Sequence, residues 1–389
     1  MEQIKQPEQT TVSAARSLTD FDLETLRTEF VRWGHNGSHA SRLLREFYLN
    51  AGQIDFEKLK IGRVLEMRFK SEIALRQSRI TARTQSTDGT IKLLVGFDRG
   101  GAVETVLMPS NIPERAAGCV SSQIGCAMGC DFCASTKRGL ERNLEAGEIV
   151  EQFLYLRELA ALGQRRLHTL VFMGMGEPMH NLDNVILAIR RIADEKWGAL
   201  GWRQITVSTV GIVPGIDKLA ATGLNVNLAV SLHAPDDETR SKIVPMNNRY
   251  NVVEIVEATR RFYQKTRRIT NIEYCLLSGV NDSDEHAHKL AELLKHLRTH
   301  VNLIAYNAIG AGLSGISYAR PSVERINSFL TVLRSAGIVT HVRQTRGDDV
   351  NAACGQLLAE SSLPIESIVV NREYQRAANG GQNVRPTSH

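Results

Sequence analysis

The chain has 389 residues and is 42% hydrophobic, which suits a globular protein with room for one large domain and a smaller one. Its net charge of +5 comes from 47 Lys and Arg against 42 Asp and Glu, a mild excess that permits nucleic-acid binding without demanding it. No run of about 18 apolar residues occurs and the opening MEQIKQPEQTT is polar, so neither a membrane span nor a signal peptide is expected, and the cytoplasm is the expected compartment.

Residues 1–18 are rich in Gln, Thr and Ser and are expected to be a disordered tail. Over 19–79 the apolar residues of DFDLETLRTEFVRWG, SHASRLLREFYLNAG and FEKLKIGRVLEMRFKSEIALRQ recur every three or four positions, which predicts a helical N-terminal domain. Over 80–108 the period falls to two. ITARTQS, TIKLLVGF and AVETVLM predict a small antiparallel extension, and Asp88-Gly89 predicts a hairpin turn with positive φ at both central residues.

Over 109–346 β-rich runs (TLVFMG, QITVSTVG, NVNLAVSLH, RITNIEYCLL, VNLIAYNAI, IVTHVRQT) alternate with helical patterns such as DNVILAIRRIAD and DEHAHKLAELLKHL. This predicts an α/β core of parallel strands joined by right-handed crossovers, in an open sheet or a barrel, with function at the C-terminal strand ends. Residues 347–389 form a C-terminal segment, polar and frayed from about Glu366.

Six cysteines are few for this length, and four lie between Cys119 and Cys133. That grouping favours a metal or redox site over a secreted disulfide framework. Cys126-x3-Cys130-x2-Cys133 lets one loop wrap an iron-sulfur cube and leaves one iron open to chelate a substrate. A buried helical stripe is the plain alternative, but Gly125 and Gly129 would cost such a helix about 1 kcal/mol each. A zinc site completed by a distant histidine is a third reading.

The cysteine loop, with Phe132 just before its last thiol, resembles the radical S-adenosylmethionine (SAM) signature. VETV, CVSSQIGC, GMGEP, STVGIVP, SLHAP, RSKIVPMN, GVNDSDEHA and TRGDDVNAACGQL, from about Glu104 to Gln356, resemble the RlmN/Cfr family of RNA adenosine methyltransferases. The resemblance implies a partial (β/α)6 barrel, a [4Fe-4S] cluster on Cys126, Cys130 and Cys133, and a SAM site lined by Gly176, Glu177, Ser208, Ser231, Leu232, His233 and Asn307. It further implies two SAM per turnover. Cys354 takes a methyl group from the first and is activated by the radical that the second supplies. Its methylene then adds to an electron-poor adenine carbon. Glu104 accepts the ring proton, and Cys119 resolves the adduct through a transient disulfide with Cys354.

RNA is the implied partner, 23S rRNA first and tRNA as a further substrate, with the target adenosine unstacked. Basic clusters at Arg42, Arg45, Arg63, Arg68, Lys70, Arg76, Arg79 and Arg83, and at Arg260, Arg261, Lys265, Arg267 and Arg268, are candidate phosphate contacts. An electron donor such as flavodoxin or ferredoxin is also implied, with a monomeric chain. Carbon 2 and carbon 8 of the ring both remain open, as does a non-catalytic, zinc-dependent RNA-binding protein. Cys275 has no implied role and is expected in the core.

Overall fold

The computed structural model describes residues 16–197 and 200–358. Most of the tail expected at 1–18, and the polar stretch from Glu366, lie outside the described residues. Arg16 and Ser17 pair in parallel with Ile73 and Ala74, and Leu18 is fully buried, so the described end of that segment packs.

Ten strands form one sheet in sequence order: β1 Ser78–Gln85, β2 Ile91–Phe97, β3 Ala102–Pro109, β4 Arg115–Cys119, β5 Arg166–Phe172, β6 Ile205–Thr209, β7 Asn227–Ser231, β8 Thr270–Leu276, β9 Thr299–Ala305 and β10 Val339–Arg343. From β4 to β10 the pairing is parallel throughout. These seven strands are one more than the six of the expected barrel. The sheet remains open between β10 and β1, as a partial barrel must.

Parallel strands covered on both faces need near-continuous apolar runs, and Leu228, Ala229 and Val230 of β7 are each fully buried. The crossover helices bury one stripe. In Leu182–Ile192 the buried Leu182, Val185, Ile186, Ile189 and Ile192 fall at three- and four-residue spacing. Side-chain caps by Asn251, Ser283 and Ser322 start three of these helices by accepting from orphan backbone N–H groups.

The antiparallel strands β1 to β3 do not form a sheet of their own. They continue the parallel sheet, because β3 pairs with β4, Val106 opposite Cys119. The β1–β2 turn also differs from the expected two-residue turn. Only Gly89 takes positive φ (+83°), Gly89 N–H donates to Ser86 O, and Asp88 accepts from Thr90 N–H, giving a longer loop. In the N-terminal region the third helical pattern splits into Phe56–Leu59 and Arg63–Glu72, because Lys60 and Gly62 between them take positive φ.

Candidate active site

The cysteine loop leaves the end of β4 and does not form a helix between Cys126 and Cys133. Gly125 (φ +72°) and Gly129 (φ +72°) turn it, and Cys126 N–H donates to Gly139 O at 2.9 Å. A Cβ on Gly125 would lie 1.9 Å from that carbonyl oxygen, so only glycine lets the loop close.

Cys126 and Cys130 are buried and Cys133 nearly so. Burial pushes the Cys126 thiol up to about 12 and the Cys130 thiol well above its ordinary value, and the neighbouring loop thiolates raise both further. Thiols whose ionised forms repel one another in a buried loop suit a cationic iron centre, which requires them as thiolates. Among the described residues no three His, Cys, Asp or Glu side chains converge on a point that one metal ion could occupy.

A cavity of about 220 Å³ opens beside this loop at the C-terminal strand ends. Gly176, Glu177, Ser208, Ser231, His233 and Asn307 line it together with Cys119, Cys130, Cys133 and Cys354. Of the expected SAM contacts, Leu232 is the exception. Its side chain is fully buried in the core, its N–H donates to Glu273 O and its carbonyl accepts from Arg240. Glu104 also stands outside the lining, although Val106, two residues on and on the same face of β3, belongs to it.

Glu177 is buried, and its carboxylate accepts from Met179 N–H at 2.9 Å and Val210 N–H at 2.8 Å, joining the β5 and β6 ends. Burial raises it to about 7 against those bonds. Gly176 lines the cavity and also packs against the chain, since a Cβ there would strike Gln123 at 2.5 Å. Ser208 and Ser231 face each other across adjacent strand ends, their hydroxyls 3.4 Å apart.

His233 takes the left-handed conformation (φ +60°), accepts from Cys275 N–H at Nδ1 (2.9 Å) and meets Phe132 edge-on at 4.8 Å. Burial lowers it to about 3, so it stands neutral.

Cys119 ends β4 and Cys354 lies beyond β10, yet both line the one cavity. Burial pushes the Cys119 thiol up to about 12, with the charge of Cys354 the next cause and Arg343 opposing. Cys354 is exposed to the cavity, where desolvation still raises its thiol to about 11. All six cysteines are free thiols, so the disulfide expected as a transient state is absent from this conformation. Cys275 is buried as expected but also contributes to the cavity wall.

Two lining or supporting residues, Glu273 and Arg240, escaped the sequence. Glu273 of β8 is buried, accepts from Asn302 at one carboxylate oxygen (2.8 Å), and holds the other 3.8 Å from Arg343 of β10, where it has no hydrogen-bond partner among the described residues. The signal was present: a glutamate inside the apolar run TNIEYCL. Arg240, within the quoted RSKIVPMN, is fully buried and donates to the carbonyls of Leu232 and Val210 and to Asn247.

Several basic residues offered as phosphate contacts are committed elsewhere. Arg42 donates to Leu59 O, Arg76 to Ala51 O and to Glu158, and Arg261 pairs with Asp217. Arg45, Arg63 and Arg83 stay exposed or partly so on the same region.

Residues 120–291 match the model of the radical SAM superfamily. The chain is 51% identical over 90% of its length to a probable dual-specificity RNA methyltransferase RlmN 1 from Opitutus terrae, of which it covers 99%. It is 40% identical over 87% of its length to a probable dual-specificity RNA methyltransferase RlmN from Rhodopirellula baltica, of which it covers 90%. The crystal structure of a radical SAM methyltransferase from Sphaerobacter thermophilus matches with a TM-score of 0.83 and 42% identity, over 89% of this chain and all of that one.

Proposed function

Because the chain belongs to the RlmN family of radical SAM methyltransferases, we propose that it methylates a ring carbon of adenosine in RNA, carbon 2 in 23S rRNA and also in tRNA, with Cys354 as the methyl carrier. The observation that carries this reading is that Cys119 and Cys354, far apart in sequence, both line the one cavity beside the cluster loop. Methylation at carbon 8 would give the two thiols the same task, whereas a zinc-dependent RNA-binding protein gives them none.

Cys126, Cys130 and Cys133 hold the cluster. Glu177, Ser208, Ser231, His233 and Asn307, all at strand ends, hold SAM with the backbone of Gly176. When bound, the cluster supplies the electron that cleaves SAM and so provides a carbon radical able to take hydrogen from an S-methyl group.

The remaining work belongs to the chain. Cys354 must lose its proton before it can displace a methyl group from SAM, and Arg343, the cationic side chain that lowers both active thiols, stabilises the thiolate. The apolar wall of Val106, Met108, Val171 and Phe172 excludes water from the reacting carbon. Glu104 takes the ring proton as the adduct gives its unpaired electron back to the bound cluster, and the Cys119 thiolate then attacks the Cys354 sulfur, so that an S–S bond forms, the S–C bond to the base breaks and the released carbon takes up a proton. Two SAM molecules are then consumed per methyl group delivered. The electron comes from a flavodoxin or ferredoxin, and the chain works in the cytoplasm as a monomer. Among the described residues no helix is long and apolar enough to cross a membrane.

The test is anaerobic incubation of the iron-loaded protein with SAM, a reductant and 23S rRNA fragments or tRNA, followed by mass spectrometry of the nucleosides. We expect 2-methyladenosine, lost in Cys354→Ala. Formation of 8-methyladenosine would move the target to carbon 8. Cleavage of SAM without RNA methylation would overturn the substrate.

A further inference from the structure

The loop that carries Cys354 is fastened on two sides. On one side Ala134 N–H donates to Gly355 O at 2.7 Å and the Ser135 hydroxyl to Leu357 O at 2.6 Å, both from the segment just after the cluster cysteines. On the other side stand the antiparallel strands. Ser86 donates through its hydroxyl to Asp349 at 2.5 Å, Thr87 through its N–H to the same carboxylate at 3.0 Å, and Gly347 N–H donates to Asp88 at 3.2 Å.

The innermost contact on that side involves Glu104 and Lys92. Lys92 lies on β2 and Glu104 on β3, two positions apart across the antiparallel register, in which Lys92 faces Val106 and Leu94 faces Glu104. The Lys92 ammonium sits 2.7 Å from Glu104 Oε1, and both side chains are largely buried. The same ammonium donates to Asn351 O at 3.1 Å, and Glu104 Oε2 accepts from Leu358 N–H at 2.8 Å. Both carboxylate oxygens are thus engaged, one with a lysine that holds the loop and one with the loop itself. Glu104 turns to the loop and not into the cavity.

We propose that Lys92 is a positioning residue that ties Glu104 to the Cys354 loop, so that the carboxylate becomes available to the substrate only when this loop undocks. The proposal rests on the reading of Glu104 as the ring-proton acceptor. It gives the reaction an order. With the loop docked, Cys354 lines the cavity and can accept a methyl group while the base is occupied. With the loop released, Leu358 N–H and Asn351 O leave together and Glu104 is freed beside the cavity wall that Val106 already forms.

The lining of the cavity agrees. Ala352, Ala353, Cys354 and Gly355 all belong to it, so undocking of this loop enlarges the space beside the residues that hold SAM.

The experiment follows hydrogen exchange of the peptide spanning 347–358 in the full-length, iron-loaded protein with SAM. Removing a charged hydrogen bond that helps dock a loop should raise its opening about tenfold. Lys92→Met should therefore speed exchange from Asn351 to Leu358 by that factor and slow methylation of Cys354, read as the mass of its peptide, while the helix Ala146–Leu162 exchanges as before. Lys92→Arg, which keeps the charge, should restore most of the protection. Should Lys92→Met not fold, Lys92→Gln removes the charge with less loss of polarity and should show the same direction. Unchanged exchange in a folded variant would overturn the proposal.

Glu104→Gln separates this from the reading beneath it. The carboxamide oxygen can still accept from Leu358 N–H but cannot take up a ring proton, so a protein–RNA adduct through Cys354 should persist. If no adduct persists although Lys92→Met loosens the loop, the strap stands and its coupling to a base is overturned.

Discussion

Asn307, at the end of β9, donates from its side-chain amide to the backbone carbonyl of Cys354 at 3.1 Å and accepts from the Thr345 hydroxyl at 3.3 Å. A residue expected to face SAM thus also holds the methyl-carrier loop. Asn307→Ala should lose both bonds, and one such bond is worth about 1 kcal/mol, or roughly fivefold in loop docking. Methylation of Cys354 should slow by about that factor even at saturating SAM, a drop in kcat that a pure SAM contact would not give. A change confined to the apparent affinity for SAM would show that Asn307 only binds the cofactor.

Two glycines of the cluster loop should behave differently. Gly125→Ala forces a Cβ to within 1.9 Å of Gly139 O in a backbone already at φ +72°, and nothing flexible can yield. Gly139 also has positive φ (+68°), but a Cβ there meets nothing within 4 Å. Gly139→Ala should cost about 1 kcal/mol, the ordinary strain of the left-handed region, and still take up iron. Gly125→Ala should lose most of its iron and sulfide, measured per chain after anaerobic reconstitution. Equal iron content in the two variants would refute the closure argument.

The strand and helix alternation was legible because the parallel core imposes largely apolar runs such as NLAVS and TNIEYCL. So were the cysteine loop and the strand-end positions of Ser208, Ser231, His233 and Asn307. What stayed hidden depends on contacts between distant segments. Sequence spacing cannot say that Glu104 points to Leu358, nor that the meander β1 to β3 joins the main sheet through Val106 and Cys119. Glu273 was passed over because an acid in an apolar strand is informative only once Arg343 and Asn302 are known to stand beside it.

Glu177 and His233 pull the pH dependence of stability in opposite directions. Glu177 is raised from 4.5 to about 7, so its contribution is full below pH 4.5 and is lost as pH rises to 7. His233 is lowered from 6.5 to about 3, so its contribution is full above pH 6.5 and is lost as pH falls toward 3. Between pH 4.5 and 6.5 the two slopes, each about 1.4 kcal/mol per pH unit at most, offset one another. In denaturant melts of the metal-free protein the contributions of these two residues should therefore cancel over that window. His233→Gln should gain stability as pH falls from 7 to 4.5, and Glu177→Gln should lose it below pH 6.5. Parallel pH profiles for the two variants would contradict this assignment.

Arg240 joins the ends of β6 and β7 from beneath. Its Nε donates to Leu232 O at 2.8 Å, Nη1 to Asn247 at 3.1 Å and Nη2 to Val210 O, all with the side chain fully buried. Burial lowers it only to about 10, so it stays charged at neutral pH without a carboxylate among these hydrogen-bond partners. The loops it gathers hold Ser231 and His233 on one side and, through Val210 N–H, the Glu177 carboxylate on the other. Arg240→Lys keeps the charge, but a compact ammonium cannot span three acceptors fixed by the planar guanidinium fork. At least one buried carbonyl is then left without a donor, at about 1 to 3 kcal/mol. The variant should melt several degrees lower and bind SAM weakly in equilibrium dialysis, while hydrogen exchange in Leu23–Arg32 stays at the wild-type rate. Arg240→Met, which loses every donor, should be worse than Lys by a further few kcal/mol. If Met and Lys proved equally stable, the hydrogen bonds would not be what Arg240 contributes, and its role would reduce to filling space.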